Sequence, residues 1–185
     1  DPAITEGQIQ PASLDLRLGT VAYRVRASFL AGQGRSVAER ISEFEMHRVD
    51  LTAGAVLEKG CVYLIPLMER LALPKGVTAV ANAKSSTGRL DLLTRTITDG
   101  GVEFDRIPEG YHGPLYAEVC PRSFSVLARS GQRLNQIRFR QGQAVLSDAD
   151  LAALHAQERL VDGPAVISEG LGFSVDLQPA EGDLV

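Results

Sequence analysis

Ile137-Arg138-Phe139-Arg140 alternates apolar and charged side chains without a break. Side chains of an extended chain point to opposite faces in turn, so this run predicts a strand with one face buried and one exposed. Residues 9–140 share that texture throughout. Short runs rich in Val, Ile, Leu, Tyr and Phe are separated by Gly, Pro and Asp, and such runs read as strands. They place strands over 13–18, 21–26, 60–67, 78–83, 115–120, 123–128 and 135–140. Turn residues stand between them at Leu73-Pro74-Lys75-Gly76, Pro108-Glu109-Gly110 and Ser130-Gly131. Closely spaced short strands of this kind predict a mostly β fold, a barrel or sandwich with Greek-key or jelly-roll connections. A few short helices interrupt it: one over 37–46, and one just after Lys84-Ser85-Ser86.

The texture changes after Gly142. Ser147 followed by Asp150 forms a capping-box pattern, with Asp in place of the usual Glu, and opens a predicted helix with Leu151, Leu154 and Leu160 as its apolar stripe. Pro164 and Gly170 then break the pattern. Ser13-Leu14-Asp15-Leu16 near one end and Ser174-Val175-Asp176-Leu177 near the other share Ser, an aliphatic residue, Asp and Leu. That short likeness raises the expectation of a tandem repeat whose second copy is cut short.

Composition narrows the chemistry. With 185 residues, 44% of them hydrophobic and 23% charged, the chain can bury a sizeable core. No apolar run approaches ~18 residues, so no membrane helix is expected, and no basic-then-apolar leader is visible. Two isolated cysteines, Cys61 and Cys120, point to a reducing, cytoplasmic setting and not to a disulfide scaffold. His47, His112 and His155 are scattered, and the His-x-Glu with Pro-Cys-x-x-Cys of the zinc nucleobase deaminases does not occur. No zinc site is therefore expected. A net charge of −4 gives no bulk attraction to nucleic acid. A polyphosphate ligand would need a local basic cluster or a divalent cation.

Four stretches could carry chemistry. Ala83-Lys84-Ser85-Ser86-Thr87-Gly88-Arg89 gathers hydroxyls, cations and a glycine at a strand-to-helix turn, which suits an anionic ligand. An ordinary capped helix with solvated charges has the same composition, and the spacing is not that of a P-loop. Asp99-Gly100-Gly101-Val102-Glu103-Phe104-Asp105 reads as a hairpin turn, or as a pocket wall whose main-chain groups meet a base or sugar. Glu118 lies inside the apolar strand pattern that follows Gly110-Tyr111-His112-Gly113. It is either an ordinary acid on an exposed face or a buried carboxylate able to shuttle protons. Residues 119–147 hold Arg122, Arg129, Arg133, Arg138 and Arg140 with no acid among them. Such a surface can face phosphates or pair with acids elsewhere.

Taken in order, these residues resemble the dCTP deaminase branch of the dUTPase-like superfamily. The resemblance is carried by Ile9-Gln10-Pro11-Ala12-Ser13-Leu14-Asp15-Leu16-Arg17-Leu18-Gly19, by Lys84-Ser85-Ser86-Thr87-Gly88-Arg89, by Phe104-Asp105 with Gly110-Tyr111-His112-Gly113, by Leu115–Val119, and by Gly131-Gln132-Arg133-Leu134-Asn135-Gln136-Ile137. It covers roughly residues 9 to 140.

The resemblance implies a distorted jelly-roll β-barrel and a hydrolase that deaminates dCTP to dUTP and ammonia without zinc, supplying the precursor for thymidylate synthesis. It implies that Glu118 is the general base, that Ser85 and Arg89 position the water and stabilise developing charge, and that Lys84 and Ser86 lie on the phosphate side. Gln136 corresponds to a phosphate-binding turn position. The main chain of Gly100, Gly101 and Val102 corresponds to the segment that reads the base edge, and Asp105 to the acid that neighbouring pyrophosphatases use. Mg2+ is expected on the triphosphate, and the assembly is expected to be a trimer or pseudo-trimer with active sites between domains. Lys84 departs from the usual Arg, which replaces a bidentate grip with a point charge. The alternatives are a dUTP pyrophosphatase, a bifunctional deaminase–pyrophosphatase, or a catalytically silent repeat. Residues 1–145 are expected to form one such domain lacking its opening helix. Residues 146–185 are expected to be the opening helix and first strand of a second, truncated one, as in the long two-domain form.

Overall fold

Fourteen elements build the first part of the chain: β1 (Ile9–Gln10), β2 (Ser13–Arg17), β3 (Val21–Val25), α1 (Val37–Phe44), β4 (Glu45–Asp50), β5 (Ala55–Leu57), β6 (Val62–Ala72), β7 (Val77–Ala83), α2 (Ser85–Arg89), β8 (Leu92–Thr98), β9 (Arg106–Ile107), β10 (His112–Pro121), β11 (Val126–Ala128) and β12 (Arg133–Gln141). A third helix, α3 (Asp148–Gln157), follows. This computed structural model describes residues 3–142 and 145–174. They fall into two units, Asp1–Gly142 and Gln143–Val185.

The first unit is mostly β. One antiparallel sheet has the order β1-β2-β12-β7-β9, a second has β4-β3-β6-β10-β8, and β11 and β5 form a short ribbon. Alternation explains how the sheets meet. Leu16, Ala79, Ala81 and Ile137 from the first sheet share a core with Tyr63, Ile65, Leu115, Ala117 and Val119 from the second. The other face of the second sheet is also covered. Leu64, Ile97 and Tyr116 pack there against Val25, Phe29, Ala31, Val37 and Ile41. The strap between β3 and α1, together with α1 itself, thus roofs a second, smaller core. A capping box holds the start of α1: Ser36 Oγ accepts the Glu39 N–H, and the Glu39 carboxylate accepts the Ser36 N–H.

One irregularity ties the two sheets together. Pro114 pairs with Arg70 while Tyr116 pairs with Pro66, so Leu67–Glu69 loop out of the β6–β10 ladder. Leu67 bridges instead to Leu18. Glu69 accepts the backbone N–H of Arg17, the Arg17 Nε–H and the Gln8 Nε2–H, each at 2.7 Å. The pair is buried, and these extra donors offset the loss of hydration that a buried charge suffers. Beside it, the Gly19 N–H donates to the Pro66 carbonyl at 2.8 Å. A Cβ at residue 19 would stand 2.6 Å from that oxygen, which explains the glycine ending the Ile9–Gly19 motif.

Several expectations change. The helical stretch after Lys84-Ser85-Ser86 is a five-residue helix, α2, followed at once by strand β8. The β-branched run Thr94-Arg95-Thr96-Ile97-Thr98 overrides helix continuation there. Residues 99–105 are not a hairpin turn. Strand β8 pairs with β10 and β9 pairs with β7, so the loop crosses from one sheet to the other. In the second unit α3 has its Ser147–Asp150 capping box, but it ends at Gln157 and none of its residues is buried. The expected strand at Ser174-Val175-Asp176-Leu177 lies outside the described residues beyond Ser174.

Candidate active site

Strand parity decides where Glu118 goes. Leu115, Ala117 and Val119 of β10 point into the main core, so Tyr116 and Glu118 point to the roofed outer face. Glu118 is 2% exposed, and the exposed-face alternative is overturned. Its partners come from that roof and from the neighbouring strand. Glu118 Oε2 accepts the Ser28 hydroxyl at 2.6 Å. Arg95 stands opposite Glu118 in the β8–β10 ladder, and its Nε–H donates to Oε1 at 3.0 Å while Nη2 forms the ion pair. Arg95 Nη2 also donates to Ser28 Oγ at 3.0 Å, closing a triangle. The guanidinium sits over the Phe104 ring, with Cζ 3.7 Å from the ring centroid.

Asp105 is the next acid along this edge. It takes a positive φ of 62°, which allows its Oδ1 to accept the Thr96 N–H at 2.7 Å while its own N–H donates to the Thr96 carbonyl at 2.9 Å. Burial pushes its carboxyl above the usual 3.8. The Thr96 N–H and the charge of Arg95 pull it down, and Glu118 adds to the push.

Helix α2 presents the other half of the expected constellation. Its base is latched to β12: Lys84 N–H and Thr87 Oγ1 both donate to the Leu134 carbonyl, at 2.9 and 3.0 Å. Thr87 is buried, whereas Ser85, Ser86 and Arg89 are exposed. Neither Ser85 nor Arg89 is among the hydrogen-bond partners of Glu118. Among the described residues, no hydrogen bond links the buried carboxylate to the exposed Ser85–Arg89 face.

Residues 1–143 match the family of the 2'-deoxycytidine 5'-triphosphate deaminase (DCD) N-terminal domain. The chain belongs to this family. Curated relatives include the "dCTP deaminase, dUMP-forming" of Coprothermobacter proteolyticus, 29% identical over 140 residues that cover 74% of this chain and 70% of the relative. The "dCTP deaminase" of Haloarcula marismortui is 29% identical over 141 residues, covering 75% and 68%. Among solved structures, 2'-deoxycytidine 5'-triphosphate deaminase from Agrobacterium tumefaciens matches with a TM-score of 0.77 at 57% identity. That match covers 85% of this chain and 48% of the other, so the chain spans about half the length of that solved relative.

Other residues of the DCD-type domain now have definite places. Lys84 pairs with Asp15, a completely buried acid on β2, so its ammonium is engaged inside the fold. Gln136 lies beside Asp15 in the β12–β2 ladder and accepts the Ser13 hydroxyl at 3.3 Å. Gly100, Gly101 and Val102 line a cavity of about 370 Å3 together with Gln33, Arg106 and Arg140. Part of their main chain is already used: Gly100 N–H donates to the Arg35 carbonyl and the Gly101 carbonyl accepts the Gly32 N–H. A Cβ on Gly101 would stand 2.8 Å from Thr98 Oγ1, so the close return of this loop demands glycine. Of the five arginines expected as one basic surface, Arg133 is bound to the Thr5–Gly7 segment.

Two partners of Glu118 were not anticipated from sequence. Ser28 lies in an irregular strap, and no spacing rule links it to a residue 90 positions away. Arg95 was recoverable, since the alternating Leu92–Thr98 run predicts a strand that can lie beside the one carrying Glu118.

Proposed function

We propose that this chain is the N-terminal deaminase domain of a dCTP deaminase, acting on dCTP and water to give dUTP and ammonia. Membership of the DCD N-terminal family supports the substrate, and the buried carboxylate of Glu118, held on the roofed face of β10 between β6 and β8, is the observation that carries the chemistry. In this reading Glu118 takes a proton from water, the hydroxide adds to C4 of the cytosine ring, and Glu118 passes that proton to the ring nitrogen. It then moves the proton of the added hydroxyl to the amino group, which leaves as ammonia while C4 becomes a carbonyl. Ser85 and Arg89 hold the water and stabilise the charge that develops on the ring. Because their face is exposed while Glu118 is buried, a second copy or a second domain brings them to the carboxylate. A trimer or pseudo-trimer with sites between domains is the corresponding assembly. Ser86 and Gln136 serve the phosphates, and the substrate is the Mg2+ complex of the triphosphate, the metal arriving with it. The two free cysteines support a cytoplasmic setting.

The decisive test is product analysis on the full-length protein with dCTP and Mg2+. Equal yields of ammonia and dUTP, both lost in Glu118→Gln with the fold intact, are expected. Ammonia release that survives in Glu118→Gln would reject the assignment. One relative carries a dUMP-forming name, so pyrophosphate is followed in the same assay. Its release with dUMP would replace the simple deaminase by the bifunctional reaction.

A further inference from the structure

We infer that Arg95 and Ser28 are positioning residues that select Oε2 of Glu118 as the atom receiving the proton from water. This rests on the deaminase reading above. A carboxylate offers about four lone-pair sites, two on each oxygen. Oε1 receives two donors from one guanidinium, Arg95 Nε–H at 3.0 Å and Nη2–H. Oε2 receives one, the Ser28 hydroxyl at 2.6 Å. The unclaimed direction therefore belongs to Oε2.

Two further observations fix that asymmetry. Arg95 cannot swing away easily, because the ladder register sets it opposite Glu118 and Phe104 backs its guanidinium. Ser28 is exposed while Glu118 is buried, so the solvent side of the carboxylate is the Ser28 side, where Oε2 lies. The Ser28 oxygen accepts from Arg95 Nη2, which turns its own proton toward Oε2. The triangle thus holds the carboxylate in one rotamer and leaves a single acceptor position facing the solvent side.

The test is steady-state ammonia release by the full-length protein in Ser28→Ala, Ser28→Thr, Arg95→Lys and Glu118→Gln. Misplacing a reacting group by about 1 Å costs on the order of a hundredfold. Ser28→Ala and Arg95→Lys are therefore expected to lower kcat about tenfold to a hundredfold, with KM for dCTP within about twofold. Ser28→Thr keeps the hydroxyl and is expected to restore kcat to within about threefold of the parent. Ser28 is exposed, so the Ala and Thr pair carries the test even if Arg95→Lys fails to fold. Unchanged or raised kcat in Ser28→Ala, with Glu118→Gln inactive, overturns the positioning role alone. Activity retained in Glu118→Gln overturns the deaminase reading together with it.

Discussion

Asp15 shows how much one side chain can demand of its surroundings. It is completely buried, its Oδ2 meets Lys84, and its Oδ1 has no hydrogen-bond partner among the described residues. A lone ammonium is a point charge, whereas a guanidinium presents a fork that spans both oxygens of a carboxylate. Lys84→Arg is accordingly expected to raise stability by about 1 kcal/mol in urea unfolding. Lys84→Met leaves a buried charge unpaired and is expected to cost about 3 kcal/mol or more; equal midpoints for both variants would show that the pair is idle. Asp105 gives a pH signature. Because burial raises its carboxyl, the folded chain keeps a proton that the unfolded chain has released. Stability from this group is therefore fully present at low pH and falls as pH climbs from 3.8 through the raised value. Asp105→Asn keeps an oxygen for the Thr96 N–H and removes that loss. Its advantage over the parent should grow across this window and level off above it, and parallel stability curves would contradict the assignment. The sequence made Asp15 and Lys84 visible as members of motifs, but not as a pair. They lie 69 residues apart, and only the fold brings β2 beside the base of α2.

At the scale of elements, the link between β2 and β6 is the most exposed to mutation. Glu69 gathers three donors from Arg17 and Gln8 in a buried setting. Glu69→Ala is expected to cost about 3–5 kcal/mol, because it strands the Arg17 charge. The double variant Arg17→Met with Glu69→Leu should recover most of that, by the same chemical-denaturation measurement. Helix α1 offers a milder handle. Ser36→Ala removes the side-chain cap and should lower stability by about 1 kcal/mol, loosening the roof over Glu118 without touching the carboxylate. Much of this layer was legible in advance. Strand β12 and the apolar runs of β2, β3, β7 and β10 appear in the structure with small changes at their ends, but Phe139, expected on the buried face with Ile137, is exposed. What sequence missed has physical causes. Strands β5 and β9 are three and two residues long, too short for a period to register. β8 follows directly on a helix-opening signal and was hidden by it. The loop 99–105 carries the composition of a hairpin turn, but its two ends join different sheets, and local composition says nothing about which partner a strand will choose.

For the whole molecule, the expected constellation is split between a buried carboxylate and an exposed helix. Sequence named residues in both halves, yet it could not say whether they meet, because no local pattern encodes which distant elements come together. Glu118→Gln and Arg89→Ala chains should each be inactive alone. Refolded together, they should regain ammonia release if sites form between copies; continued silence of the mixture, with both variants folded, would place the whole site within one chain. A last consequence follows from the two-faced strand β10. Its odd residues, Leu115, Ala117 and Val119, serve the core, and its even residues, Tyr116 and Glu118, serve the roofed face. The position of a substitution along β10 thus forecasts its phenotype. Truncations at Leu115, Ala117 or Val119 should give proteins that melt early but turn over normally when cold. A Tyr116 truncation should also melt early through the roof core, and turnover should fail at Glu118. Core packing and the proposed chemistry are thus written on the same five residues, Leu115 to Val119.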